Sequence, residues 1–106
     1  MLGMHCILDN AYPEYIYIED YAALAGNIYV LAHSNPYQHF SKILESYVAP
    51  VVIREGAWIG VSSTLLAGSE IGEYSIVTAG SVVTGKMPDC CFLRGNPARV
   101  IARYKL

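Results

Sequence analysis

The chain has 106 residues, 54% of them hydrophobic and only 15% charged, with a formal net charge of −2. This length predicts a single domain over 1–106 with a modest core. The charge excludes a nucleic-acid surface, because no basic stripe exists outside the C-terminal tail. So apolar a composition leaves faces that another copy of the chain is expected to cover.

In chain order, residues 1–8 lack the basic and apolar run of a signal peptide. Asp9-Asn10 reads as a turn in which the carboxylate caps backbone N–H groups. Tyr12, Tyr15, Tyr17, Tyr21 and Tyr29 crowd the first 29 residues, and tyrosine suits surfaces with one wet end. Ile18, Leu24 and Val30 then fall six apart. Residues 21–41 carry no Asp, Glu, Lys or Arg. A membrane span is nevertheless excluded there, because Gly26, Asn27, His33, Ser34, Asn35, Pro36, Gln38 and His39 place polar or helix-breaking groups where lipid cannot satisfy them.

His33 follows the aliphatic run Val30-Leu31-Ala32 and precedes Asn35-Pro36, a turn signal matched by Ala49-Pro50. From Val30 to Ile53 is 23 residues, which is not a multiple of six, so residues of about 35–50 are expected to leave the repeat as an excursion loop. The register then resumes in its clearest form: Ile53, Ile59, Leu65, Ile71, Val77 and Val83 are aliphatic, and Ala57, Ser63, Ser69, Ser75 and Ser81 follow the first five at a fixed offset of four. A six-residue period fits neither a helix nor simple strand alternation. It predicts an all-β solenoid of short flat strands, with one large inward side chain per face and small residues at the corners. Only Ile28 breaks the small-residue rule in the earlier coil. Three cysteines, two of them adjacent at Cys90 and Cys91, make no disulfide framework and favour a reducing cytoplasm. At the C-terminus Asn96 reads as an N-cap and Pro97 as a first helical residue, predicting a short helix over about 97–105 with Arg99 and Arg103 on one face.

Ala57-Trp58-Ile59-Gly60, Ile71-Gly72-Glu73, Ala79-Gly80-Ser81-Val82-Val83-Thr84 and Gly95-Asn96-Pro97-Ala98-Arg99-Val100-Ile101, in this order and spacing, resemble the hexapeptide-repeat acyltransferases, most closely the galactoside/maltose and xenobiotic acetyltransferase group. The resemblance covers about residues 16–103. It implies a left-handed parallel β-helix, a homotrimer, and acetyl-coenzyme A lying in the groove between neighbouring subunits. The left hand comes from the resemblance alone, since it runs against the usual crossover rule. Family members commonly carry further coils or a helical segment ahead of this region, which bears on the completeness of the acceptor pocket.

Moving an acetyl group from a thioester to a hydroxyl needs a base for the acceptor proton, and histidine suits that task near neutral pH. The position of His33 resembles that of the family's catalytic histidine; the residues alone equally allow a histidine that hydrogen-bonds its turn. A covalent route through Cys90 or Cys91 lacks a histidine nearby in sequence. Asp9 resembles an acidic position that in related sugar acetyltransferases faces the acceptor, and would orient a hydroxyl toward His33 of a neighbour.

For the coenzyme, the resemblance places Ala79 and Gly80 along the pantetheine arm, with Thr84 as a hydrogen-bond partner and Ala67 in the matching corner one coil below. Trp58 resembles a position beside the cofactor. Arg94 and Arg99, with Asn96 and Pro97 opening the tail helix, supply cations and a helix terminus for phosphate. Where the family has a lysine directly after Val83-Thr84, this chain has Gly85 and then Lys86, one position late. No resident metal is expected. The competing readings are a zinc enzyme like the β-helix carbonic anhydrases, using His5, His33 and His39, and a non-catalytic trimeric scaffold. The acceptor is a small molecule, a sugar by resemblance, with an amine open.

Overall fold

A computed structural model describes residues 2–9, 11–34 and 47–105. Its strands follow in the order β1 (Ile7–Leu8), a 3₁₀ turn (Pro13–Tyr15), β2 (Ile16–Ile18), β3 (Ala23–Leu24), β4 (Tyr29–Val30), β5 (His33–Ser34), β6 (Tyr47–Val48) and β7 (Val51–Ile53), then β8 (Trp58–Ile59), β9 (Thr64–Leu65), β10 (Glu70–Ile71), β11 (Ile76–Val77), β12 (Val82–Val83), β13 (Cys91–Gly95) and β14 (Ala98–Arg103). They stack into three parallel faces: β2-β7-β10, β3-β8-β11-β13 and β1-β4-β9-β12. This is a parallel β-helix, and the six-residue register is its cause. Ile53 lies against Ile18 and Ile71, Ile59 against Leu24 and Val77, and Leu65 against Val30 and Val83.

The inward aliphatics Leu24, Val30, Ile53, Ile59, Leu65, Ile71, Val77, Val83 and Leu93 are fully buried. Ile18 shares the register but is 37% exposed. Its strand β2 is the last of its face, so among the described residues it has a neighbour on one side only. Small corner residues are buried too, and their hydroxyls are satisfied by neighbouring coils. Ser69 donates to the carbonyl of Val83 at 2.9 Å and Ser75 to that of Pro88 at 2.7 Å, while Ser75 accepts from the N–H of Cys91 at 3.1 Å. A serine here adds a hydrogen bond between coils without widening the corner. Ile28, the residue that broke the rule, is buried completely at the same corner position.

Between coils, Arg54 bridges three levels, donating to Glu19 Oε2 at 2.8 Å and Glu70 Oε1 at 3.1 Å. Both pairs are partly exposed, so solvent screens them and they add little to stability. Gly72 is more demanding. It is buried, and a Cβ there would meet the carbonyl carbon and oxygen of Pro88 at 2.4 Å and the Asp89 nitrogen at 2.5 Å, all backbone. Gly72→Ala is expected to lower unfolding free energy by about 1–3 kcal/mol through forced displacement of the next coil. Urea denaturation against wild type at one protein concentration reads this directly.

Two predictions about non-repeat segments fare differently. Residues 35–46, most of the expected excursion, lie outside the described residues. Its base is described: β5 and β6 pair antiparallel, His33 opposite Val48 and Ser34 opposite Tyr47. The C-terminal helix over 97–105 is corrected. β14 instead runs antiparallel to β13, with Gly95 opposite Ala98 and Asn96-Pro97 as the two-residue turn. The adjacent β-branched Val100 and Ile101 favour a strand, and Phe92 packs on Tyr104 with ring centroids 5.5 Å apart. The cap-and-proline signal is local and carries no information about the competing sheet edge at β13. Arg99 and Arg103 consequently do not share a face, because Arg99 pairs with Arg94 and Arg103 with Cys91, three residues apart on an alternating strand.

Candidate functional site

One corner departs from the six-residue rhythm. From Leu8 to Ile18 is ten residues rather than six, and the additional chain forms the turn through Ala11, Tyr12 and the 3₁₀ residues. Asp9 lies at the start of this enlarged corner. β1 pairs with β4, and the Asp9 N–H donates to the Val30 carbonyl at 2.8 Å. That pairing carries the Asp9 side chain to the segment Ala32-His33, where β5 leaves the solenoid.

Asp9 is only 3% exposed, and both its oxygens are occupied. Oδ1 accepts from the N–H groups of Ala11 at 2.9 Å and Tyr12 at 3.3 Å. Oδ2 accepts from the Ala32 N–H at 2.9 Å and pairs with Nδ1 of His33. Burial by itself raises the carboxyl, but the hydrogen bonds from His33, Ala32, Ala11 and Tyr12 outweigh it and hold Asp9 below the usual carboxylate value of 3.8. An ionised carboxylate accepts only, so Nδ1 carries the proton in this contact, and in the neutral ring Nε2 would then be the nitrogen with the lone pair. The His33 side chain is 34% exposed, and Tyr12 packs on it with ring centroids 5.3 Å apart at 55°. Tyr15 backs Tyr12 edge-on at 6.2 Å.

This arrangement has an acid signature. The folded-state pKa of Asp9 is depressed, so its stabilising contribution is present in full above the unfolded value near 3.8 and is lost as pH falls through the folded value. Below about pH 4 the wild type is expected to lose stability more steeply than Asp9→Asn, which has no proton to take up there. Thermal unfolding midpoints of the two proteins from pH 7 to pH 3 test it; parallel curves would rule it out.

The other expected site residues fall into two groups. Trp58, 54% exposed, stands on the β3-β8-β11-β13 face, and exposed Ala79 and Gly80 form the corner after β11. Arg94 and Arg99 are exposed cross-strand neighbours on the hairpin of that face, and Asn96 and Pro97 are exposed in its turn rather than at a helix start. Ala67 and exposed Thr84 occupy the corner after β9 and β12, the corner that His33 shares one coil away. Lys86, with an 80% exposed side chain, lies 3.7 Å from Glu70 Oε2. Thus Ala67 and Thr84 share the histidine's edge of the prism, and Trp58, Ala79, Gly80, Arg94 and Arg99 belong to the neighbouring face and edge.

Asp9, expected toward the acceptor, is turned inward onto His33 of its own chain; the turn-capping reading accounts for its bonds to Ala11 and Tyr12. Tyr12, expected on the surface with the other N-terminal tyrosines, is instead half-buried against His33. The ten-residue step between Leu8 and Ile18 was the signal that marked its corner as special. For a zinc site, His5 precedes β1 while His33 follows β4, at opposite ends of one face, and His39 lies outside the described residues. Among the described residues no three His, Cys, Asp or Glu side chains cluster to hold a metal ion. Cys6, Cys90 and Cys91 are free thiols, and buried Cys91 donates to the Asp89 carbonyl at 3.1 Å. No helix among the described residues is long and apolar enough to cross a membrane.

Residues 50–85 match the family described as bacterial transferase hexapeptide (six repeats). Over 49 residues the chain is 51% identical to a dTDP-3-amino-3,6-dideoxy-alpha-D-galactopyranose 3-N-acetyltransferase of Aneurinibacillus thermoaerophilus, covering 46% of this chain and 26% of that protein. It is 34% identical over 85 residues to the galactoside O-acetyltransferase of Escherichia coli K12, covering 79% of this chain and 42% of that one. A solved galactoside acetyltransferase in complex with coenzyme A superimposes with a TM-score of 0.79 at 26% identity, covering 96% of this chain and 54% of that chain. The chain thus spans about half or less of the length of these relatives. Taken with the three-faced solenoid, these matches show a chain with the bacterial transferase hexapeptide repeat that is similar to galactoside acetyltransferases over most of its own length and to an amino-sugar acetyltransferase over 46% of it.

Proposed function

We propose that this chain moves an acetyl group from acetyl-coenzyme A to a hydroxyl or amine of a small sugar-type acceptor, with His33 as general base. The observation that carries the reading is the His33–Asp9 pair at a solenoid corner, which leaves one imidazole nitrogen as an acceptor beside the root of the excursion. Nε2 takes the proton as the acceptor oxygen or nitrogen attacks the thioester carbonyl. The tetrahedral oxyanion is met by backbone N–H donors at a corner. It collapses with cleavage of the C–S bond, and the imidazolium returns its proton to the departing thiolate.

In this reading the solenoid is left-handed and assembles as a homotrimer in the cytoplasm. The division of the candidate coenzyme residues between two edges of the prism supports a groove completed by a second copy: Ala67 and Thr84 line it from the His33 edge, and Trp58, Ala79 and Gly80 from the other. Exposed Tyr17, Tyr21, Tyr29 and Val61 supply apolar surface for that contact. Arg94 and Arg99, side by side on the hairpin, hold phosphate as paired cations without a helix terminus, and Lys86 reaches the same ligand after releasing Glu70.

The deciding experiment is isothermal titration with acetyl-coenzyme A alongside sizing of the same sample. Micromolar binding to a trimer, followed by thiol release with amino-sugar nucleotides or galactosides, is the expected result. An intact trimer that binds no acetyl-coenzyme A overturns the enzyme reading in favour of a scaffold.

A further inference from the structure

We propose that Asp9 is a positioning residue that fixes the tautomer and ring plane of His33 from within the same chain, and that the enlarged corner after β1 exists to hold its carboxylate. The inference rests on the proposed role of His33, which it deepens by assigning the group that prepares the base. A carboxylate meant to bind an acceptor needs an oxygen free toward solvent. Asp9 has none: Ala11 and Tyr12 occupy Oδ1, Ala32 and His33 occupy Oδ2, and the residue is 3% exposed.

The corner explains how the chain obtains this cradle. At an ordinary six-residue corner the backbone turns directly into the next strand, as after β9, where Leu66 donates to the Val83 carbonyl and no loop folds back. After β1 the chain takes four further residues to reach Ile18, and the N–H groups of Ala11 and Tyr12 point back to Oδ1. Three backbone donors anchor the carboxylate before His33 is considered, so the imidazole meets an acceptor that is already immobile. Tyr12, from the same corner, then packs against the ring from the side. Among the described residues, Asp9 and Tyr12 are the titratable groups in contact with His33. Acceptor recognition falls to other groups.

Long-range 1H–15N NMR of histidine-labelled protein, without substrates and with His33 assigned by its absence in His33→Ala, reads the tautomer directly. At a pH where the imidazole is neutral, His33 is expected to carry its proton on Nδ1. A proton on Nε2, or an average like that of solvent-exposed His5, overturns the proposal. Because no acetyl donor is used, this result stands apart from success or failure of the transferase reading. In Asp9→Asn the amide cannot satisfy every donor and also accept from Nδ1, so the population with Nε2–H is expected to rise. Where acetyl transfer is measurable, kcat is expected to fall by about two to four orders of magnitude, with the acceptor KM within about threefold. Unchanged kcat with a strongly raised acceptor KM would assign Asp9 to the acceptor instead. Should Asp9→Asn fail to fold, the wild-type tautomer alone decides.

Discussion

His33→Ala is expected to reduce acetyl-transfer turnover by about two to four orders of magnitude while leaving acetyl-coenzyme A affinity and the unfolding midpoint near wild type. His33 is one-third exposed and belongs to no core cluster, so truncation creates no cavity in the stack. The candidate coenzyme residues Thr84, Ala79 and Gly80 depend on other coils. Removing the imidazole leaves Asp9 with its three backbone donors and a solvated fourth position, which keeps the corner intact. Steady-state kinetics with titration calorimetry on the same variant separate the effects: loss of kcat with retained donor binding is the expected pattern, and undiminished turnover would remove His33 from the mechanism. An acceptor that is itself a good nucleophile, such as an amine, should show the smaller loss, because less of its barrier lies in proton removal.

The largest effect on stability is expected from Leu65→Ala, a loss of about 2–5 kcal/mol of unfolding free energy. Leu65 is fully buried and sits mid-stack, with Val30 below and Val83 above on one face. In a globular core neighbours on all sides can relax into a cavity. In a solenoid each level is supported only by the adjacent ones, so the gap uncouples β4 from β12 and weakens two interfaces together. Denaturant unfolding should show a lower midpoint, and a reduced m-value would indicate that one end of the stack melts before the other. A loss below about 1 kcal/mol would mean that the coils do not share a continuous core. Since assembly contributes to stability by mass action, wild type and variant must be compared at equal concentration.

The legibility of this chain varied with the range of the forces involved. Residues 53–83 were readable because each six-residue unit repeats one local problem, a large inward aliphatic followed by a small corner, and every strand finds an equivalent partner eighteen residues on. Ile28 and Ile18 departed from the pattern for tertiary reasons: one fills a corner with space for it, and the other caps a face. Left-handed corner conformations at Ser62 and Tyr74, with φ of 61° and 55°, were hidden because neither residue type announces positive φ. The tail failed most clearly. Asn96-Pro97 followed by cations four residues apart satisfies a helix start locally, yet the open edge of β13 offers Ala98 to Arg103 a ladder of backbone partners, and that ladder outweighs the local preference.

The site divides in the same way. Sequence by itself determined the solenoid and the break in its register after Val30, since both are written in residue spacing, while the family resemblance singled out His33 as the candidate base. Only the tertiary structure decided what Asp9 contacts. A carboxylate twenty-four positions from the histidine can face an acceptor, cap a turn or hold an imidazole. The choice depends on the parallel pairing of β1 with β4 and on four additional residues of corner chain, which together bring Asp9 to His33 and surround it with donors.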